Sequence, residues 1–539
     1  MFFISIYYLL HYALLIKLSN ELYLIRELFL FSMFVNTHKL IFPGFIPSFL
    51  GSLQTLNILG VFPLPAKSHF FVFAPYLKEL ANRGHNVTVI SFYPQKDPIP
   101  NYHDINLSEN SQPLQISHPV TKSLFVIFLS LTLLQALAGP FTCRMLLEDE
   151  NVQNLWATQT KFDLVVVEQF NSDCGLALAH VLGAPVIGIT SHTLMPWHYS
   201  RFGVPYNPSY VTFDFFEGGT HPTFLQRILR TIIYNHVNFI FYHVTHRLEQ
   251  NIIGEFFNDL PPLKELAKDI KLVLVYQNFM LSGSTIMPSN IIEVGGYHVA
   301  KVKPLPDELR KFIEDSEHGV IYISFGTLLK ASTIPPDTLQ EIINALEELP
   351  QRVIWKWNKQ SLPGNPKHIY LAKWLPQNDI LAHPKVLAFY SHCGLLGTTE
   401  AIYHGVPIVG MPIYGDQPTN AAAIEESGLV RFLICNFVFF RFRERVKFLS
   451  KAWHDRPVKA MDTAIFWTEF AARHKNFTFR TPAADVPFYQ YFCLDILAIL
   501  FLFFAVTIAI LKYSITILIK IVFASKDLSS NGVRKVKVN

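Results

Sequence analysis

Hydrophobic positions follow two alternating grammars along most of the chain. From Asn57, "NILGVFPLP" is an unbroken apolar run closed by proline. The next stretch, "HFFVFAPYLKELANRGHNVTVISF", has helical spacing, a glycine stop at Gly84 and a second apolar run. Strand, helix and strand in this order predict a βαβ unit. The same order recurs in "FDLVVVEQF" followed by "DCGLALAHVLGAPVIGIT". Strand segments that are apolar on both faces belong to a parallel sheet covered by helices. A second series opens after the Lys- and Pro-rich "HVAKVKPLPDEL" at 298–309, which reads as a linker. It runs through strand "GVIYISFGT", helix "PDTLQEIINALEEL", strands "RVIWKW" and "IYLAKWL", helix "NDILAHP", strand "VLAFYSHCG", helix "TTEAIYHG" and strand "PIVGMP". The predicted fold is α/β: two doubly wound Rossmann-like domains, 57–300 and 301–487, facing a cleft. Ligands in such sheets sit outside the carboxyl ends of the strands.

The third pattern is a run with no polar face. Ile496 to Leu511 carries no charge, and counted from Phe488 the stretch is long enough to cross a bilayer. A transmembrane helix is therefore expected at 488–511. The tail 512–539 holds Lys512, Lys520, Lys526, Arg534, Lys535 and Lys537 against Asp527, which places it in the cytosol by the positive-inside rule and the bulk of the chain in the lumen. Lys535 and Lys537 resemble a dilysine retrieval signal, so an endoplasmic-reticulum membrane address is expected. Residues 1–56 read as a hydrophobic entry segment of open cleavage. Asn86, Asn106 and Asn476 lie in glycosylation sequons, Asn86 being the least suited because it falls in a strand.

Composition narrows the function classes. The 45 Lys+Arg against 41 Asp+Glu leave a net charge of +4 over 539 residues, too small a bias for a nucleic-acid partner. Charged residues make up 16% and hydrophobic residues 50%, with a mean hydropathy of +0.26, which excludes disorder and agrees with a lipid-embedded part. The five cysteines are scattered and show no C-x-x-C, so neither a disulfide framework nor a zinc site is expected.

Polar groups gather at strand ends between Trp374 and Gln417. His392, Cys393 and Gly394 follow "VLAFYS", and a helix is expected to start near Thr398, its free N–H groups aimed at the loop as a diphosphate requires. Glu400 on the first turn suits paired ribose hydroxyls, Asp416 and Gln417 suit a hexose, and Trp374 offers a flat face for a base. The ordered elements W-x-P-Q, H-P, H-C-G, E-x-x-x-x-G-x-P and D-Q closely resemble the signature of the family 1 UDP-glycosyltransferases, especially the insect membrane-bound members. With "FPLPAKSHF", "FDLVVVEQFNSD" and "EVGG" upstream, the resemblance covers roughly 57–430 and resumes near Arg445. It implies a GT-B type enzyme in which Trp374 stacks on uracil and Gln377 and Glu400 hold the ribose. It also places His392, Gly394, Ser324, Gly326 and Thr327 beside the diphosphate, with Asp416 and Gln417 on the sugar.

The same resemblance makes His69 the general base for an acceptor hydroxyl, oriented by a carboxylate. Glu168 is the better match and Asp173 the alternative. The expected reaction is inverting transfer of a hexose, with glucose favoured over glucuronate, to a small lipophilic acceptor, as in detoxification. No metal and no cofactor beyond the UDP-sugar co-substrate is expected. The expected partners are that donor, the acceptor and the bilayer, with a homo-oligomer left open. Two departures stand out. Leu396 and Gly397 replace side-chain phosphate donors found in many relatives, and the stretch after Val430 lacks a strand and helix of the family pattern. The second departure makes a non-catalytic small-molecule or UDP-binding membrane protein the alternative.

Overall fold

The computed structural model describes residues 55–109, 124–212, 219–283, 285–326, 334, 336–359, 361–364, 366–413, 415–428, 436–477 and 479–532. Thr327, the entry segment up to 54, the stretch 429–435 and the tail lysines Lys535 and Lys537 lie outside them.

Seven parallel strands make the first sheet: β1 (Asn57–Phe62), β2 (Asn86–Ser91), β3 (Tyr102–Asn106), β4 (Leu164–Glu168), β5 (Val186–Ile189), β6 (Ile270–Val275) and β7 (Ile291–Glu293). Their order is β3-β2-β1-β4-β5-β6-β7. Five more make the second: β8 (Val320–Ser324), β9 (Arg352–Lys356), β10 (Ile369–Ala372), β11 (Val386–Ser391) and β12 (Ile408–Gly410), in the order β10-β9-β8-β11-β12. The two-residue period of the pleat explains the continuous apolar runs. In β4, Leu164 and Val166 enter one core while Val165 and Val167 enter the core on the opposite face. In β6, Leu272 and Leu274 separate in the same way from Val273 and Val275.

The expected βαβ unit forms through α1 (Lys67–Asn82), which buries Phe70, Phe73, Tyr76 and Leu77. The chain leaves it through Gly84 at φ +91, a left-handed conformation that a residue without Cβ adopts at little cost. The linker after Glu293 leads into the second sheet without a helix until Asp307.

Three features differ from expectation. Cys143, on the helix Leu124–Glu148, forms a disulfide with Cys174 at the start of α2 (Cys174–Val181); their Cα atoms are 5.3 Å apart. Their separation of 31 residues carries no motif, because helix packing alone brings them together. The globular chain also ends on the first sheet's side. The helix Ala460–Arg473 packs on α1, with the Tyr76 hydroxyl 2.7 Å from Thr468 Oγ1 and His85 Nε2 3.2 Å from Glu469 Oε1. Finally, Phe488–Tyr491 is a separate short helix, and the long C-terminal helix is Leu494–Gly532. Its apolar part, Leu494–Phe523, is fully exposed and long enough to cross a membrane. This candidate span starts later than 488 and runs past Lys512 and Lys520, because "YSITIL" and "IVFA" resume the apolar run beyond each lysine.

Candidate active site

Each sheet reverses strand order once, β1 against β4 in the first and β8 against β11 in the second, and a crevice opens at the carboxyl end of such a switch point. His69 stands in the first turn of α1, just after β1, and Glu168 is the last residue of β4. The His69 Nδ1–H donates to Glu168 Oε1 at 2.8 Å, and Ser191 Oγ, just past β5, is 2.8 Å from the same nitrogen. A carboxylate on Nδ1 selects the tautomer that leaves the Nε2 lone pair outward. Phe170 and His192 wall the ring, with centroids 4.8 and 5.5 Å away. Burial, with the nearby His69 adding to it, lowers His192 to about 3 against a bond to the Thr193 carbonyl, so this second imidazole is neutral.

Asp173 does not reach His69. It lies buried under a two-pronged contact from Arg201 (Nη1 to Oδ1, 2.8 Å) and a bond from His246 Nε2 at 2.8 Å. Burial would raise its carboxyl, but the Arg201 charge and these hydrogen bonds outweigh it and hold the group far below the usual carboxylate range.

In the second sheet, Ser324 and Ser391 pair in register at the ends of β8 and β11, and His392 follows. Its ring lies between two backbones, since a Cβ on either Gly326 or Gly394 would come within 2.6 Å of Nε2. Glycine is required twice here, and at Gly326 also by φ +74. Burial, reinforced by the Lys356 charge and opposed by a backbone bond to Ser324, lowers His392 to about 4. The next helix begins at Leu395, not near Thr398, with Gly394 as its N-cap. The earlier start arises because Asp416 Oδ2, 21 residues away, accepts the Leu395 N–H at 2.9 Å. Glu400 consequently sits on the second turn, where its Oε2 accepts from Gln377 Nε2 at 2.5 Å. The N–H groups of the first helical turn have no intrahelical acceptor, so the backbone at Leu396 and Gly397 supplies donors where side-chain hydroxyls are missing.

Asp416 and Gln417 are more engaged in the fold than expected. Asp416 Oδ2 also accepts from Asn420 Nδ2 at 2.7 Å, and Gln417 Oε1 accepts the Ile413 N–H at 2.8 Å. Burial raises the Asp416 carboxyl against the bonds from the Leu395 N–H and Asn420, with a smaller lowering from His69 across the cleft whenever that imidazole is protonated. Trp374 is 61% exposed at the mouth of the same cleft. Phe71 of α1 is edge-on to it at 6.3 Å, and the Lys67 and Lys356 ammoniums stand 5.4 and 4.9 Å from its ring. The cleft thus carries a base-like dyad on one wall and a helix N-terminus, a buried imidazole and an open indole on the other.

Sequence reasoning missed Ser191 and His192, although "ITSH" ends a strand just as "AKSH" follows one. It also missed Lys356, whose Nζ donates to the Gly326 carbonyl at 2.7 Å, and for which only its place at the end of β9 was a signal.

Solved glycosyltransferases share this double-sheet arrangement. The calicheamicin glycosyltransferase CalG4 superposes with a TM-score of 0.51 at 17% identity, covering 78% of this chain and 99% of that one, which defines the architecture as GT-B. In sequence, the family described as UDP-glucoronosyl and UDP-glucosyl transferase matches residues 120–527. A UDP-glycosyltransferase UGT5 from Dactylopius coccus is 33% identical over 92% of this chain and 98% of its own length. A UDP-glucosyltransferase 2 of the same organism is 33% identical over 85% and 92%, and the UDP-glucuronosyltransferase 2B17 of Mus musculus 29% over 82% and 90%. The chain belongs to this family of UDP-glycosyltransferases.

Proposed function

We propose that the enzyme transfers glucose from UDP-glucose, with inversion, to a hydroxyl of a small lipophilic acceptor. The observation that carries this reading is the His69–Glu168 pair in the switch-point crevice, facing the second sheet's loops across the cleft. The acceptor O–H gives its proton to His69 Nε2, and its oxygen bonds to the anomeric carbon. The bond from that carbon to the β-phosphate oxygen breaks, and its electron pair leaves with UDP. Glu168 keeps the imidazole oriented and balances the imidazolium. N–H groups at the start of the helix Leu395–His404, together with Ser324, Gly326, Gly394 and the neutral His392, receive the diphosphate charge. Trp374 stacks on the uracil, Gln377 and Glu400 hold the ribose, and Asp416 and Gln417 face the hexose. Phe170 supplies apolar surface beside His69 for the acceptor. Preference for glucose rests on the relative named as a UDP-glucosyltransferase.

The same reading makes Leu494–Phe523 a single span in the endoplasmic-reticulum membrane, with both sheets in the lumen and a detoxifying role. The Cys143–Cys174 disulfide supports an oxidising compartment, and Asn476 lies in an exposed turn where a glycan can attach. Microsomes carrying the chain, given UDP-glucose or UDP-glucuronate and a panel of phenols and alcohols, test the reading. Turnover should favour UDP-glucose, and His69→Ala should lower it roughly 10²- to 10⁴-fold on alcohols. Full turnover by His69→Ala would overturn the mechanism, and preference for UDP-glucuronate would overturn the donor.

A further inference from the structure

Glu400 is approached by two hydrogen-bonded chains that start in different sheets. From the second sheet, the Tyr322 hydroxyl in β8 donates to Gln377 Oε1 at 3.2 Å, and Gln377 Nε2 donates to Glu400 Oε2. From the first, Tyr276, one residue past β6, is hydrogen-bonded through its hydroxyl to His298 Nδ1, and His298 Nε2 faces Glu400 Oε1 at 3.6 Å. Burial pushes the Tyr276 phenol well above its ordinary value, so it keeps the proton it can donate to Nδ1, and the carboxylate facing Nε2 favours the same tautomer of His298. The imidazole proton then lies on Nε2. At 3.6 Å this N–H is too far from the carboxylate for a hydrogen bond, and it is a buried donor without an acceptor, a state that folded proteins rarely keep. His298 lies in the linker between the sheets, and its side chain is 7% exposed.

We propose that His298 is a positioning residue for the ribose site, closing its Nε2–H onto Glu400 Oε1 when the donor's ribose enters. The proposal rests on the assignment of Glu400 to the ribose. A carboxylate has about four lone-pair positions on its two oxygens. Gln377 occupies one on Oε2 and His298 one on Oε1, which stops the group from rotating and leaves one position on each oxygen for the vicinal 2′- and 3′-hydroxyls. Without His298 the carboxylate is fixed on one side only and presents the second acceptor poorly. Because His298 is tied to β6 through Tyr276, the ribose site is completed by a group from the first sheet's side, though the other donor-binding residues belong to the second.

The test compares binding of UDP and 2′-deoxy-UDP to the full chain in detergent, for the unaltered enzyme, His298→Ala, His298→Gln and Glu400→Ala. His298→Ala should weaken UDP about tenfold and 2′-deoxy-UDP less than about twofold, so the discrimination between them collapses. It should raise KM for the UDP-sugar by a similar factor with little change in kcat, and His298→Gln, which offers an N–H, should restore part of the loss. Retained binding of 2′-deoxy-UDP shows that the variant is folded. Equal weakening of both nucleotides, or no weakening, overturns the proposal. If Glu400→Ala also keeps the normal discrimination, the ribose assignment itself fails. If Glu400→Ala loses discrimination while His298→Ala keeps it, only the role of His298 is refuted.

Discussion

Replacing Glu168 by Gln keeps the shape of the dyad and removes its charge. The His69 contact is 2.8 Å, and the Glu168 side chain is 5% exposed against 21% for His69. When His69 takes the acceptor proton, an imidazolium forms beside the carboxylate. At about 4 Å between charge centres and an effective dielectric near 20, their attraction is about 4 kcal/mol. Solvent reaching the partly open imidazole screens some of it, so about 2 to 3 kcal/mol of transition-state stabilisation should be lost, roughly 30- to 150-fold in kcat. His69→Ala should lose more, roughly 10²- to 10⁴-fold. The assay is kcat across acceptors of graded acidity. An aliphatic alcohol, which needs its proton removed, should suffer the full loss, and a strongly acidic phenol much less, while Kd for UDP stays unchanged. Asp173→Asn is the control. It leaves the buried Arg201 without its counter-ion, so it should cost about 3 to 5 kcal/mol of stability and appear as a lowered Tm and yield. Equal kcat losses on alcohol and acidic phenol in Glu168→Gln, or full activity, would refute the role of Glu168. An Asp173→Asn variant of normal Tm with the graded kcat loss would move that role to Asp173.

Other substitutions probe the second wall of the cleft and the fold beneath the first. Trp374→Ala should weaken UDP and UMP alike by about 1 to 3 kcal/mol, the usual contribution of a base–aromatic stack, as read by calorimetry; unchanged UMP binding would remove the indole from the uracil site. Gly394→Ala puts a methyl 2.6 Å from His392 Nε2 and should raise KM for the UDP-sugar without changing its preference among acceptors, which steady-state kinetics would check. Asp416→Ala should weaken UDP as well as UDP-sugar, because the Leu395 N–H loses its acceptor and the helix start that receives the diphosphate loosens; loss confined to UDP-sugar would place Asp416 on the hexose alone. Glu249, raised to about 8 by burial and by the Asp173 charge, is protonated in the folded chain and ionised in the unfolded one above the ordinary carboxylate range. The folded state therefore holds the extra proton, and stability falls as pH rises towards 8, by at most about 1.4 kcal/mol per pH unit. Between pH 6 and 8 the apparent Tm should drop more in the unaltered protein than in Glu249→Gln, and parallel drops would refute this.

The amino-acid pattern alone determined those features that depend on local period and length. Short β-branched runs such as "LVVVE", apolar on both faces and alternating with helical segments, read as parallel strands between helix layers, and two series of them with a linker imply two sheets and a cleft. Candidate chemistry then falls at strand ends, where His69, Glu168 and His392 stand; Ser324 came in only through the family resemblance. The uncharged C-terminal run was equally legible as a spanning length of helix, though its limits shifted because lysine does not end a helix.

Partner choice was left to the tertiary structure. Glu168 and Asp173 are five residues apart and of the same chemical kind; Asp173 is removed from the cleft by Arg201 and His246, 28 and 73 residues further on. The helix start at Leu395 depends on Asp416, the Cys143–Cys174 bond on two helices meeting, and the His298–Glu400 approach on how the linker crosses between the sheets. Each of these is a contact between distant parts of the chain. Its occurrence depends on packing that competes for the same side-chain lone pairs and N–H groups, and no spacing along the sequence encodes which competitor wins.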